Sequence, residues 1–210
     1  MAKRLVTIDV ISDTVCPFCF LGKRRLERAM ARFSDTLDFK VRWHPFYLDP
    51  TATVSKDKLA HYHAKFGEER FAALNANMKR MAAAEGININ FGGLVGPTRD
   101  SHRLTHFAQK INKQDEVIEG LFKAYFEDNK DIADVEVLTS VASGAGINGD
   151  EARQCLLSGE GGDEVDQEAN KHRRSINGVP HFTVNGKHEI HGAQDVEEFV
   201  RVFRKVEGGN

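Results

Sequence analysis

The chain has 210 residues, 40% of them apolar and 29% charged, with a formal net charge of -2. That length supports one large domain, or one domain carrying a substantial insertion. The near-neutral balance provides no basic field, which argues against nucleic acid as a partner. No segment has the roughly 20 apolar residues of a membrane helix. The opening MAKRLVTIDVISDTVCPFC lacks a secretory pattern, so a soluble, cytoplasmic protein is expected.

Residues 4–11, RLVTIDVI, are rich in β-branched residues and partly alternating, and read as a buried strand. A short turn holding Cys16-Pro17-Phe18-Cys19 follows, and then apolar residues at helical spacing, Phe20, Leu21, Leu26, Ala29, Met30 and Phe33. Residues 38–46 read as a second strand with Phe39, Val41 and Trp43 on one face. Strand–helix–strand over this length predicts a parallel βαβ unit. Between 56 and 174 the pattern is helical: 56–66, 69–85, 100–112, 115–127, 134–145, 150–157, then a loop over 158–163 and one more helix ending near Arg174. Residues 181–184 and 187–190 flank Asn185-Gly186, a strong hairpin signal, and an amphipathic helix with Val196, Phe199, Val200 and Phe203 closes the chain. The expected fold is α/β, one sheet built from 1–50 plus 175–210, with a helical subdomain inserted at 51–174.

Three cysteines cannot form a disulfide scaffold, and a close pair in such a setting points to redox or metal chemistry. Two cysteines one helical turn apart can close a small disulfide. Cys16 stands at a helix N-terminus, where free N–H groups and the dipole favour the thiolate that attacks a disulfide. Pro17 suits the first helical position. Cys16 is therefore assigned as nucleophile and Cys19 as the resolving thiol. A zinc half-site is the competing reading, but its nearest helpers, His61 and His63, point to different sides of a helix, and no metal ligand is assigned. Val179-Pro180 opens a strand and is a candidate cis peptide, or a proline simply tolerated at a strand start. As a cis bond it would turn Val179 toward an extended substrate. Pro17, Phe18, Val179 and His181 are the expected substrate-facing residues. Asp9, in the strand under the motif, and Asp13, just before it, are candidate proton acceptors for Cys19, with loop solvation or capping the leading reading of Asp13. Arg99 and Arg103 open a helix, where a structural role leads over an anion contact. Cys155 reads as a packed helical residue.

The segments SDTVCPFCFLGKRRLE, WHPFYLDP, TRDSHRL and GVPHFTVNGKHEIHGAQ, in this order across nearly the whole chain, resemble the FrnE-like branch of the DsbA family. The resemblance implies a thioredoxin fold with a helical insertion, Cys16 and Cys19 as the redox pair, and Pro180 as a cis-proline facing them. The related kappa-class glutathione transferases and hydroxychromene-carboxylate isomerases use glutathione and carry serine at the first cysteine position. By that likeness Gly192, Ala193 and Gln194, at the start of the last helix, are candidates to hold a glutathione carboxylate. This chain departs from the branch in two places: Pro-Phe stands where Pro-Trp is usual, and Asp49 where the related pattern has asparagine. Disulfide exchange with protein thiols or glutathione is the expected function, without a tightly bound cofactor. The rivals are a glutathione-dependent isomerase or transferase of a small aromatic compound, and a non-enzymatic, chaperone-like peptide-binding module.

Overall fold

The computed structural model describes residues 3–209. Strand β1 (Arg4–Ser12) leads through the cysteine motif into helix α1 (Pro17–Ala31), and β2 (Leu37–Pro45) returns parallel to β1, pairing Arg4 with Leu37 through Ser12 with Pro45. The hairpin of β5 (His181–Val184) and β6 (His188–His191) adds antiparallel to the other side of β1, giving the order β2-β1-β5-β6. Asn185 (φ 51°) and Gly186 (φ 66°) both adopt left-handed backbone, as a two-residue type I′ turn requires.

The central helices are α2 (Lys58–Phe66), α3 (Glu68–Ala84), α4 (Arg99–Gln109), α5 (Gln114–Phe122), α6 (Val135–Gly144), α7 (Gly149–Ser158) and α8 (Gly162–Ser175). Three local features differ from expectation. Helix α5 does not run to 127 as one α-helix, because Lys123–Glu127 is a π-helical turn. The 158–163 segment is no extended loop, since α8 begins at Gly162 after left-handed Gly159 and Gly161. Two short strands, β3 (Lys56–Asp57) and β4 (Leu94–Val95), pair antiparallel at the rim of the helices.

Helix α1 is sandwiched between two apolar layers. On one side the terminal helix α9 (Val196–Glu207) turns Val196, Phe199, Val200, Val202, Phe203 and Val206 inward, and Phe199 packs edge-on against Phe182 of β5. On the other, Phe20 of α1 stacks on Phe122 (centroids 5.0 Å apart) and Phe126 (6.1 Å). Lys23 is fully buried there and is matched by Glu27, Asp115 and Glu119. One continuous cluster of buried apolar residues spans sheet and central helices.

Strand β2 is an edge strand, and an unpaired edge exposes backbone groups that invite aggregation. Here Gln114 of α5 closes it: its Oε1 accepts from the Trp43 N–H (2.8 Å) and its Nε2 donates to the Trp43 carbonyl (2.8 Å). At the next residue of the same strand, His44 joins Glu168 of α8 (2.6 Å) and Asp9 of β1 (2.9 Å), and Asp9 also pairs with Arg42. Burial pushes the His44 imidazole down, but Glu168 and Asp9 outweigh it and raise it above its ordinary 6.5. Burial opposes the charge on Glu168 and Asp9, yet His44, with Arg42 on Asp9, lowers them below 4.5 and 3.8. A raised histidine stabilises below its unfolded value and loses this as pH rises through its folded one, while lowered carboxylates lose theirs as pH falls through their folded values. The cluster is therefore most stabilising between about 4.5 and 6.5. Urea titrations should show the stability gap between the parent and His44→Gln largest in that window and shrinking above it; a gap that grows toward pH 8 would contradict the assignment.

Candidate active site

The site begins where β1 ends. Ser12, Asp13 and Thr14 are all buried, and the side chains of Asp13 and Thr14 are tied down. The Asp13 carboxylate accepts from the Leu48 N–H (2.8 Å) and meets His102 Nε2 (3.2 Å), while the Thr14 and Ser101 hydroxyls share a 2.7 Å hydrogen bond. These contacts anchor the turn before the cysteines to α4 and to the chain after β2. The Cys16 N–H donates to the Asp13 carbonyl (3.1 Å), and Cys16 is the N-cap of α1, with Pro17 as its first residue. Asp9 lies away from the motif in the His44 cluster. Asp13 is a buried anchor of the turn.

All three cysteines are free thiols. Cys16 Sγ lies 3.9 Å from the Val179 carbonyl and borders an open cleft. Cys19, one turn deeper, is completely buried, and burial first, then its contact with Cys16, raises its thiol well above the ordinary range. The Ser12 hydroxyl and the Asp13 backbone bear on the same sulfur and partly offset that rise. The two sulfurs are thus differentiated: one borders the cleft, and the other is held protonated beneath it.

Val179–Pro180 is a cis peptide. Pro180 is brought against α1 because residue 22 is glycine: a Cβ there would sit 3.0 Å from both Pro180 Cγ and Phe182 Cζ. The Gly in CPFCFLG is thus a close-approach residue that lets the cysteine helix lie on the proline strand.

The cleft in front of Cys16 has a volume of about 380 Å³, within the range of small-molecule sites. Pro17, Phe18, Gly178 and Val179 form the wall nearest the motif, and α2 and α3 supply the facing one through Tyr62, Phe66, Phe71 and Met78. Burial pushes the Tyr62 phenol up to about 12. Phe18 is 45% exposed, an aromatic ring left in the open beside the nucleophile. Lys56, His61 and Lys65 lie at the rim opposite Asp49, whose carboxylate accepts from the Thr51 N–H and hydroxyl. The aromatic wall escaped the sequence reading because Tyr62, Phe66 and Phe71 carry the same helical spacing as ordinary core residues.

The remaining candidates lie elsewhere. His181 and Gly192 line a second hollow, which shares only Gly178 and Val179 with the cleft of Cys16. Burial and His191 lower the His181 imidazole. In the segment entering α9, the Gly192 N–H donates to the Pro180 carbonyl (2.8 Å), the Ala193 carbonyl accepts from Arg25 (2.7 Å), and the Gln194 amide donates to the His191 carbonyl (2.8 Å). Asp195, Glu197 and Glu198 already place carboxylates at this helix start. Arg99 pairs with Asp166. Arg103 is buried and gathers the carbonyls that end α7, and Cys155 is a packed residue whose thiol burial raises.

Among the described residues no helix is long and apolar enough to cross a membrane. The chain is 31% identical over 208 residues to the uncharacterized protein YwbO of Bacillus subtilis (strain 168), covering 94% of this chain and 96% of that one. It superposes on the probable DsbA oxidoreductase SCO1869 from Streptomyces coelicolor with a TM-score of 0.88 at 29% identity, over 98% of this chain and 91% of that one. The cytosolic disulfide reductase DsbM from Pseudomonas aeruginosa, also solved with GSH, shares the fold at a TM-score of 0.67 and 14% identity, over 95% of this chain and 98% of that one. The family model for the DSBA-like thioredoxin domain matches residues 7–204, and by that match, spanning both the cysteine turn and the proline strand, the chain belongs to the DSBA-like thioredoxin domain family.

Proposed function

We propose that the protein is a thiol–disulfide oxidoreductase in which Cys16 exchanges disulfides with protein thiols or glutathione and Cys19 resolves the intermediate. The observation that carries this is the differentiation of the pair: Cys16 borders the cleft at a helix N-terminus, and Cys19 is completely buried one turn below, where burial raises its thiol. In the reducing direction the Cys16 thiolate attacks one sulfur of a substrate disulfide. An S–S bond forms between protein and substrate, and the other substrate sulfur leaves as a thiolate. Cys19 then gives up its proton, attacks Cys16 Sγ, and closes the Cys16–Cys19 disulfide as the second substrate sulfur departs. Two electrons pass from the cysteine pair to the substrate, and the reverse sequence oxidises a dithiol. In this reading Pro17, Phe18 and Val179 hold the substrate backbone and side chain beside Cys16, with Pro180 setting their position.

Cys19→Ser separates attack from release. Incubated with oxidised glutathione or a peptide disulfide, it should accumulate one mixed disulfide per chain on Cys16, read by intact mass, while Cys16→Ser should form none. Absence of the adduct in Cys19→Ser, or equal adducts in both variants, would overturn the assignment.

The apolar cleft supports a second reading, glutathione-dependent isomerisation or transfer on a small aromatic compound. Turnover of such a compound that persists in Cys19→Ser would favour it, because that chemistry needs no resolving thiol. A cytoplasmic location belongs to the same proposal and is checked by cell fractionation.

A further inference from the structure

The second hollow, behind the proline loop, has a donor set that the redox reading does not use. His181 of β5 and His191 of β6 are directly paired across the hairpin, and Glu189 stands two residues before His191, so all three project from one face of the sheet. One ligand atom from each lies within 4.8 Å of the others. His191 Nε2 and Glu189 Oε2 are 3.5 Å apart, near the edge of about 3.3 Å that a tetrahedral ion with ligands at 2.0–2.1 Å requires. Their side chains are exposed enough to close the remaining distance.

The third member makes this more than a surface pair. His181 is only 5% exposed, and its Nδ1 is buried without a hydrogen-bond partner. A buried imidazole nitrogen left unpaired is unusual in a folded protein, because desolvation is then uncompensated. The other His–Glu–His cluster, His44, Glu168 and His172, lacks this feature: both His44 ring nitrogens are already hydrogen-bonded to carboxylates, and His172 Nδ1 faces the Pro45 carbonyl at 3.0 Å.

We propose that His181, Glu189 and His191 form a binding site for a divalent transition-metal ion of the zinc type. Two imidazoles and one carboxylate are the mixed nitrogen–oxygen set that such ions take, and three protein ligands leave a fourth position for water or an incoming ligand. The hollow is walled on its other side by Gly178 and Val179, the segment whose front faces Cys16. The cation would thus sit directly behind the loop that borders the nucleophile. This assignment does not depend on the redox reading.

The test is calorimetric titration of zinc chloride into the full-length Cys16→Ser/Cys19→Ser variant, in which the motif thiolates cannot contribute. One ion per chain should bind. His191→Ala and Glu189→Ala, both at exposed positions, should each weaken binding by about tenfold or more, the size of effect expected when a metal-site group is removed. His172→Ala should leave it unchanged. No binding in the parent double-cysteine variant, or affinity in His191→Ala and Glu189→Ala equal to that of the parent, or loss with His172→Ala instead, would overturn the site.

Discussion

Phe20→Ala is expected to destabilise the fold by about 3–5 kcal/mol, the usual range for emptying a buried aromatic position. Phe20 directly follows Cys19, is fully buried, stacks on Phe122 and Phe126, and lies under the Arg24 guanidinium, 5.0 Å from its ring centroid. It joins the cysteine helix to the central helices, so its loss removes apolar burial and leaves a void that rigid neighbours fill poorly. Against a total stability of about 5–15 kcal/mol this is a large fraction. Phe18, two residues earlier and 45% exposed, provides the contrast: Phe18→Ala should change stability by no more than about 0.5 kcal/mol while lowering kcat/KM for apolar substrates. Urea unfolding of both variants checks the pair, and equal destabilisation would mean that the burial assigned to these two rings is wrong.

Arg103→Ala should cost a similar amount, about 3–5 kcal/mol, through a different mechanism. The guanidinium is buried and donates to the carbonyls of Cys155 (2.6 Å), Leu156 (3.0 Å) and Glu160 (2.9 Å), with Asp100 at 2.8 Å balancing its charge. The last carbonyls of α7 have no partners within the helix, and Arg103 satisfies them across the turn into α8. Removing it takes the guanidinium from the carbonyls of two buried residues, Cys155 and Leu156, of which only Cys155 keeps a second donor, the Ser158 hydroxyl, and an acceptor left unpaired carries a desolvation penalty. Arg103→Lys keeps the charge but not the planar fork, and should recover only part of the loss. Thermal unfolding of both variants tests this; a loss below about 1 kcal/mol in Arg103→Ala would show that water replaces the guanidinium without penalty.

The features legible in the sequence are those whose signal is local. The CxxC turn, the strand before it, the helical periods of the central region and the Asn185-Gly186 turn each declare themselves within a dozen residues, and each lies close to the predicted place. Features made by long-range contact were not legible. Lys23 and Lys58 carry no local sign of burial, yet both are buried: Lys23 among carboxylates, and Lys58 over the Tyr125 ring and on the Tyr125 carbonyl, where burial lowers it to about 8. Gln114 carries no sign that it brackets Trp43 from 71 residues away. The π-helical turn at Lys123–Glu127 and the two-residue strands β3 and β4 are too short for periodicity to register. At the site, the cysteines, Val179 and Pro180 were legible, but the wall of Tyr62, Phe66, Phe71 and Met78 was not, because nothing in a helical stripe says which cavity it faces. The grouping of His181 and Gly192 with the cysteine cleft also failed to anticipate that the proline loop separates two hollows.

The most direct test of the central claim is to equilibrate the protein with defined ratios of reduced and oxidised glutathione and count free thiols by alkylation and mass. A working Cys16–Cys19 pair predicts a reversible two-electron transition in which two thiols are lost together while Cys155 stays reduced. No intramolecular disulfide at any ratio, or the same two-thiol transition in Cys16→Ser, would contradict the account.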